Sequence, residues 1–283
     1  MRLLVGYLAT PGGADALSLA VRLARTLGAE LDICMILPPD RVLPALMPTG
    51  GYEDVLADQA NQWLTEAAAT VPEGIATATH AVFDESSAAG LIAKAEELGA
   101  ETIVVGGTGG GLAGSYSLGS VVNELLHSAP VPVAVAPRGI RDSAIETVRE
   151  VTCAIGYRAG ADLLLETAIR ASKAAGTPLR LVSLVALDPA HGDFRADNAR
   201  RHARNMLDLA RSSLPEDIPV TATVVEGPTV EAAVDSLEWH DADLIMVGSS
   251  RLAQPRRLFL GSTAAKMLRV LRVPMVVVPK EAD

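Results

Sequence analysis

The sequence predicts an α/β protein made of two tandem copies of one doubly wound unit, and three observations carry that expectation. Apolar runs of strand length alternate with segments whose apolar residues recur at helical spacing, the pattern of parallel strands joined by helical crossovers. Residues 105–137 (VGGTGGGLAGSYSLGSVVNELLHSAPVPVAVAP) superpose without a gap on residues 247–279 (VGSSRLAQPRRLFLGSTAAKMLRVLRVPMVVVP). Within each copy a glycine loop, written Gly106-x-x-Gly109 and then nine residues to Gly119-Ser120 in the first, stands between a strand and a helix. Each copy is long enough to bury its own core. The repeat therefore reads as tandem domains over residues 1–138 and 149–283, with the charged stretch 138–150 as linker, and not as a solenoid.

The elements follow in order. Leu3 to Tyr7 is a strand, and Leu17, Ala20, Val21, Ala24 and Leu27 mark one face of a helix that stops at Gly28. Leu31 to Leu37 is the second strand. Four prolines between Pro38 and Pro48 then hold a loop ahead of a helix over residues 52–70. Ile75 to Phe83 is the third strand, Ser87 to Leu98 a helix, Thr102 to Val105 the fourth strand, and residues 120–136 the last helix and strand. The second copy repeats the order, with strands near residues 151–155, 179–186, 218–225, 244–247 and 275–278. Continuous apolar strands imply a parallel sheet covered on both faces, with right-handed crossovers.

Composition bounds the function. The chain has 283 residues, 49% hydrophobic and 20% charged, which is enough for compact cores and unlike a disordered chain. A net charge of −10 excludes a general nucleic-acid binder, which grips phosphate with Lys and Arg stripes. The longest apolar runs are of strand length, and Met1-Arg2 opens directly into Leu3-Leu4-Val5, so neither a membrane span nor a signal segment is expected and the location reads as cytoplasmic. Cys34 and Cys153 lie in apolar strand runs and read as buried free thiols. The five histidines show no ligand spacing and read as surface or helix-end residues with satisfied partners.

The glycine loop carries the chemistry. Glycine allows backbone to approach a ligand, and the first turn of the next helix offers unpaired N–H groups and a positive dipole end to an anion. No residue from Gly106 to Asn123 is charged, so phosphate would be held by backbone amides and by hydroxyls such as Thr108, Ser115, Ser117 and Ser120. The loop follows the fourth strand and not the first, as a dinucleotide fingerprint would. In a sheet ordered 3-2-1-4-5 that places it beside the crevice between strands 1 and 4.

At these residues the chain resembles the universal stress proteins. Gly106-x2-Gly109-x9-Gly119-Ser120 is similar to that family's ATP-binding signature, and the likeness extends through the closing run Ala129-Pro130-Val131-Pro132-Val133-Ala134-Val135. The resemblance implies two tandem Rossmann-like domains of the adenine-nucleotide alpha-hydrolase type. It implies a cytoplasmic regulatory protein of stress adaptation that binds ATP, with Mg as an optional companion and no dedicated catalysis. By similarity, Gly106, Gly107, Gly109, Gly110 and Gly119 with the Ser120 hydroxyl would hold ribose and phosphates. Val121 and Val122 would close over them at the helix start, and Ile36 would touch adenine. A regulatory protein partner, an internal pseudo-dimer and further homodimerisation belong to the same expectation.

Departures from the family pattern place the nucleotide in copy one. The acidic residue usual after strand 1 is replaced by Leu8, and copy two has Arg251 where the middle glycine belongs, while keeping Gly248, Gly261 and Ser262. Copy two retains Val225-Glu226-Gly227-Pro228, like the family's adenine-side turn, where copy one has Val82-Phe83-Asp84-Glu85. Arg251, Arg256 and Arg257 read as a solvated loop in preference to an anion site. Asp15 and Asp162 read as helix N-terminal stabilisers, and Trp63 and Trp239 as packing residues. No acid and base pair, nucleophile elbow or metal constellation stands out. The competing readings are a nucleotide-free interaction module and a weak ATPase that lacks an evident base. Finally, the proline-flanked apolar strands 131–137 and 273–279 would be exposed edges in an isolated copy, so they are expected to pair antiparallel with each other, and the copies to meet there and not through helices.

Overall fold

The computed structural model describes residues 1–39, 51–107, 119–156, 162–186, 193–212, 214–215, 217–250, 253–254 and 257–280. The first half contains β1 (Arg2–Gly6), α1 (Pro11–Leu27), β2 (Glu30–Leu37), α2 (Tyr52–Ala69), β3 (Thr77–Phe83), α3 (Ser87–Leu98), β4 (Thr102–Gly106), α4 (Ser120–Ser128) and β5 (Val133–Ala136). The second contains β6 (Glu150–Ala154), α5 (Asp162–Ala175), β7 (Leu179–Ala186), α6 (Asp193–Ser212), β8 (Val220–Gly227), α7 (Val230–Asp235), β9 (Asp243–Gly248), α8 (Ser262–Val270) and β10 (Met275–Val278). Local chemistry sets the helix ends. Thr10 caps α1 by accepting from the Gly13 amide, Pro11 supplies the preset φ of the first turn, and Gly28 closes the helix in the left-handed region at φ 64°. Ser86 and Gly99 do the same for α3.

All ten strands form one sheet in the order β3-β2-β1-β4-β5-β10-β9-β6-β7-β8. Each half thus has the expected 3-2-1-4-5 order and is parallel throughout. The halves join where β5 and β10 run antiparallel, with Val133 opposite Val277, Ala134 opposite Val276 and Val135 opposite Met275. No edge is left at the centre, and Val133 to Ala136 are fully buried. One face of the sheet is covered by α1, α2, α5 and α6, the other by α3, α4, α7 and α8, and both of these cores run across the junction.

The expectation that the halves meet through strands and not helices therefore needs correction. The strands do pair, but α1 and α5 share one core, and loops cross as well. The amides of Leu258 and Leu260 donate to the carbonyls of Ala129 and Leu126, each at 2.9 Å, and the Arg257 guanidinium donates to Ser128 O at 2.8 Å. A ten-stranded twisted sheet leaves helices on either side of the junction close enough to pack, which sequence spacing does not reveal.

The linker is also not a bare tether. A short 3-10 turn (Ile140–Asp142) buries Ile140 against α1. Its anchor is Asp15, which sits within α1 and not at its cap, 1% exposed. Its carboxylate accepts from the Gly139 amide at 3.0 Å, the Arg141 amide at 3.2 Å and the Arg141 guanidinium at 3.0 Å. The capping role belongs to Thr10, so the N-terminal reading of Asp15 is corrected, while the side chain of Asp162 lies outside the described residues. Of the tryptophans, Trp239 packs as expected, its Nε1 donating to Val234 O at 3.0 Å with Arg180 over its ring, but Trp63 is 37% exposed on the outer side of α2. Cys34 and Cys153 are buried and free, and burial pushes each thiol up to about 12.

Candidate functional site

The glycine loop begins where β4 leaves the sheet beside β1, at the boundary between strands whose crossover helices lie on opposite faces. Gly106 ends β4, and Gly107 follows with its amide bonded to Ala136 O at 3.1 Å. A Cβ on Gly106 would stand 1.8 Å from the Gly12 carbonyl oxygen, and one on Gly12 would stand 3.0 Å from Gly107 O. The lack of a side chain at Gly106 thus lets the start of α1 seat directly on the end of β4. This packing demand had no signal in the loop motif itself.

Gly109 and Gly110, with Thr108, Ser115 and Ser117, lie outside the described residues. The far end of the loop is described. Gly119 is the N-cap of α4 in extended backbone and no side chain caps it, as at Gly261 ahead of α8 and in contrast to Thr10, Ser86 and Thr229 at other helices. The Gly119 carbonyl accepts from the Asn123 amide at 3.0 Å, so the helix starts at Ser120 and its first-turn amides are not met by a capping side chain. Ser120 is exposed, Val121 half-buried and Val122 buried in the core. Ile36, at the end of β2, is 8% exposed and lies against Gly90 of α3, where an added Cβ would come 3.0 Å from it. Ile36 and Val122 are accordingly core residues on the side of the crevice floored by α3 and α4.

Around this crevice the described residues supply no acid at the end of β1. Leu8 stands there 56% exposed, and the turn is held by Tyr7 N donating to Cys34 O at 2.9 Å and Thr10 N to Leu8 O at 2.7 Å. Asp84, beyond β3, uses Oδ1 to accept from the Ser86 amide at 2.8 Å. No cluster of three metal-ligating side chains occurs among the described residues.

In copy two the ends of the corresponding loop are described. Phe259 donates its amide to Ser249 Oγ at 2.7 Å, and its carbonyl accepts from the Ser250 amide at 2.8 Å. The loop is thereby folded back onto the end of β9. Together with the Leu258 and Leu260 amides that bond to the other half, the amides from Arg257 to Leu260 are engaged within the protein. Gly227, in the turn that resembles the family's adenine side, is required by packing too, since a Cβ there would stand 2.6 Å from the Ala233 amide nitrogen.

A doubly wound sheet repeated in tandem, with a glycine loop after the fourth strand of each half, is the architecture of a two-domain universal stress protein. The chain belongs to that family: the profile of the Universal stress protein family matches residues 1–137 and again 147–279. A universal stress protein of Mycobacterium tuberculosis is 28% identical over 296 aligned residues, covering 99% of this chain and all of the relative, and one from Mycobacterium bovis matches equally. Among solved structures, a universal stress protein from Archaeoglobus fulgidus shares the fold with a TM-score of 0.72 at 22% identity, over 98% of both chains. A functionally unknown protein from Pseudomonas aeruginosa aligns over 99% of this chain with a TM-score of 0.63 at 18% identity.

Proposed function

We propose that this universal stress protein is a cytoplasmic regulatory protein that binds one adenine nucleotide, ATP, at the glycine loop of copy one. The carrying observation is the start of α4, where no side chain caps the first-turn amides. The start of α8 at Gly261 is uncapped in the same way, so the choice of copy one rests on its intact signature glycines against Arg251 of copy two, where the Phe259, Leu258 and Leu260 amides are bonded to Ser249, Ala129 and Leu126. An uncapped helix start suits an anion, because N–H groups and the helix dipole act together there. On this reading Gly107, Gly109, Gly110, Gly119 and Ser120 hold ribose and phosphates, Val121 and Val122 shape the helix start around them, and Ile36 meets the base from the end of β2. Gly106 contributes by letting α1 seat, which keeps the loop's first residue in place.

Leu8 removes the acidic contact near the ribose, so affinity rests on backbone donors and apolar contact. Mg, where it accompanies ATP, would be carried by the phosphates. No group among the described residues at the crevice is placed as a base for an attacking water, and the protein acts by changing state on binding and not as a catalyst.

Titration calorimetry of the full chain with ATP tests the proposal. One site per chain is expected, and Gly109→Arg, which installs the residue type that copy two has at Arg251, should abolish the heat of binding while leaving the circular dichroism and thermal midpoint unchanged. Two equal sites, or a folded Gly109→Arg protein with unaltered affinity, would exclude it. No binding by the wild type would favour the nucleotide-free interaction module instead.

A further inference from the structure

Cationic side chains gather at the junction of the two halves. A cavity of about 280 Å³ opens between the linker and the start of β10, and Arg22, Arg138 and Arg272 line it together with Asp142, Asp241 and Ser143. Arg138 follows the end of β5 and Arg272 precedes the start of β10, and both line this cavity, so their like charges share it. Both guanidiniums are exposed, and neither has a hydrogen-bond or ion-pair partner among the described residues.

Beneath them Arg22 is 3% exposed. Its acceptors are all neutral: Ile145 O at 3.2 Å, Asp241 O at 2.8 Å and Ser143 Oγ at 3.1 Å. Three of its five N–H donors are used by those bonds. Burial pushes this guanidinium below its ordinary range, and the nearby Asp241 charge offsets that only in part. The two carboxylates do not settle the balance, since three cations face two anions and Asp142 lies 3.9 Å from Arg141 Nε. The repeat does not impose the arrangement either. At the positions equivalent under the repeat stand Lys280 and Pro130, so the arginine pair occurs on one side only.

We propose that this cavity binds a small phosphate-type polyanion, with Arg138 and Arg272 closing on it from the two strands and Arg22 supplying the positive floor. Such a ligand would touch both halves and the linker at once, so its binding would tighten the junction. The chemistry that recognises it is charge-assisted hydrogen bonding by guanidinium to phosphate oxygens.

The test titrates inorganic pyrophosphate into the full chain carrying Gly109→Arg, a background chosen so that phosphates are not taken up at the glycine loop. Salt-sensitive binding of one pyrophosphate per chain is expected. Arg138→Gln and Arg272→Gln should each weaken it by about tenfold or more, as loss of a charge-assisted bond does, and Asp142→Asn should tighten it. In phosphate-free buffer Arg272→Gln should melt no lower than its parent, because one of three cations sharing the cavity has been removed. Absence of binding, affinity unchanged by both arginine substitutions, or a lowered melting point in phosphate-free buffer would overturn the site. None of these outcomes depends on whether ATP binds copy one.

Discussion

Asp15 shows how one buried carboxylate sets the position of a whole linker. It sits one turn into α1 with no solvent contact and gathers two backbone amides and a guanidinium from Gly139 and Arg141. Arg22, two turns further along the same helix, holds the linker again through Ile145 O and Ser143 Oγ, and Thr26 Oγ1 accepts from the Val148 amide at 2.9 Å. One face of α1 therefore carries polar residues at helical spacing, Asp15 and Arg22 buried and Thr26 half-buried, that the linker covers. Asp15→Ala would strand the amides it satisfies and should cost about 2–3 kcal/mol, the penalty of unsatisfied buried donors, with Arg141 half in solvent adding little. Urea unfolding of the variant checks this, and a change within the error of the wild-type midpoint would show that the linker finds other acceptors. In sequence these residues look like an N-terminal acid and two surface polars. The signal that marks them as buried is the linker's position, which no local pattern contains.

Among the elements, β10 is the one on which the junction depends. It pairs antiparallel with β5 on one side and parallel with β9 on the other, so Val277 stands between Val133 and Val247 with its side chain fully buried. Val277→Pro would remove a donor from the middle of a central strand and clash with its ladder, costing about 3 kcal/mol or more. The expected result is a lowered urea midpoint together with faster proteolysis in the linker, and an unaltered cleavage pattern would argue that β10 is not what holds the halves together. Strands like β10 were legible because an apolar run between prolines has few other solutions. Strand limits came out within two residues at most ends, as with 218–225 expected against Val220–Gly227 found. The repeated order implies a helix before the fourth strand of the second copy, but the bounds of the short α7 were not legible: six residues carry too little periodicity to stand out, and it forms because Thr229 caps it and Gly227 lets it lie against β8.

At the scale of the molecule, the two halves share one sheet and two cores, with α1 and α5 packed into the same cluster and β5 buried against β10. Independent unfolding of either half would expose that shared apolar surface. The chain should therefore unfold in a single transition, with calorimetric and van't Hoff enthalpies agreeing to about 10%, as for a two-state unit. Two resolved transitions in differential scanning calorimetry would mean that the junction contributes less than its burial implies.

By itself the sequence determined the class and the repeat, because each rests on patterns local enough to be read from neighbours: apolar runs, helical spacing, turn glycines and a gapless internal match. It also located the glycine loop, since strand, glycines and helix start are adjacent in the chain. Tertiary structure alone decided what those residues face. Gly106 was legible as a glycine a ligand might need, but its seat under Gly12 arises from a helix returning from the other end of the unit. The copy-two loop looked like a degenerate cradle, and only the contact with α4 engages its amides in the other half. Arg138 and Arg272 are 134 residues apart and come to line one cavity because β5 and β10 pair at the junction. Periodicity describes which side of an element is apolar, while contacts between elements far apart in the chain are set by sheet order and packing, and these exist only once the whole molecule has closed.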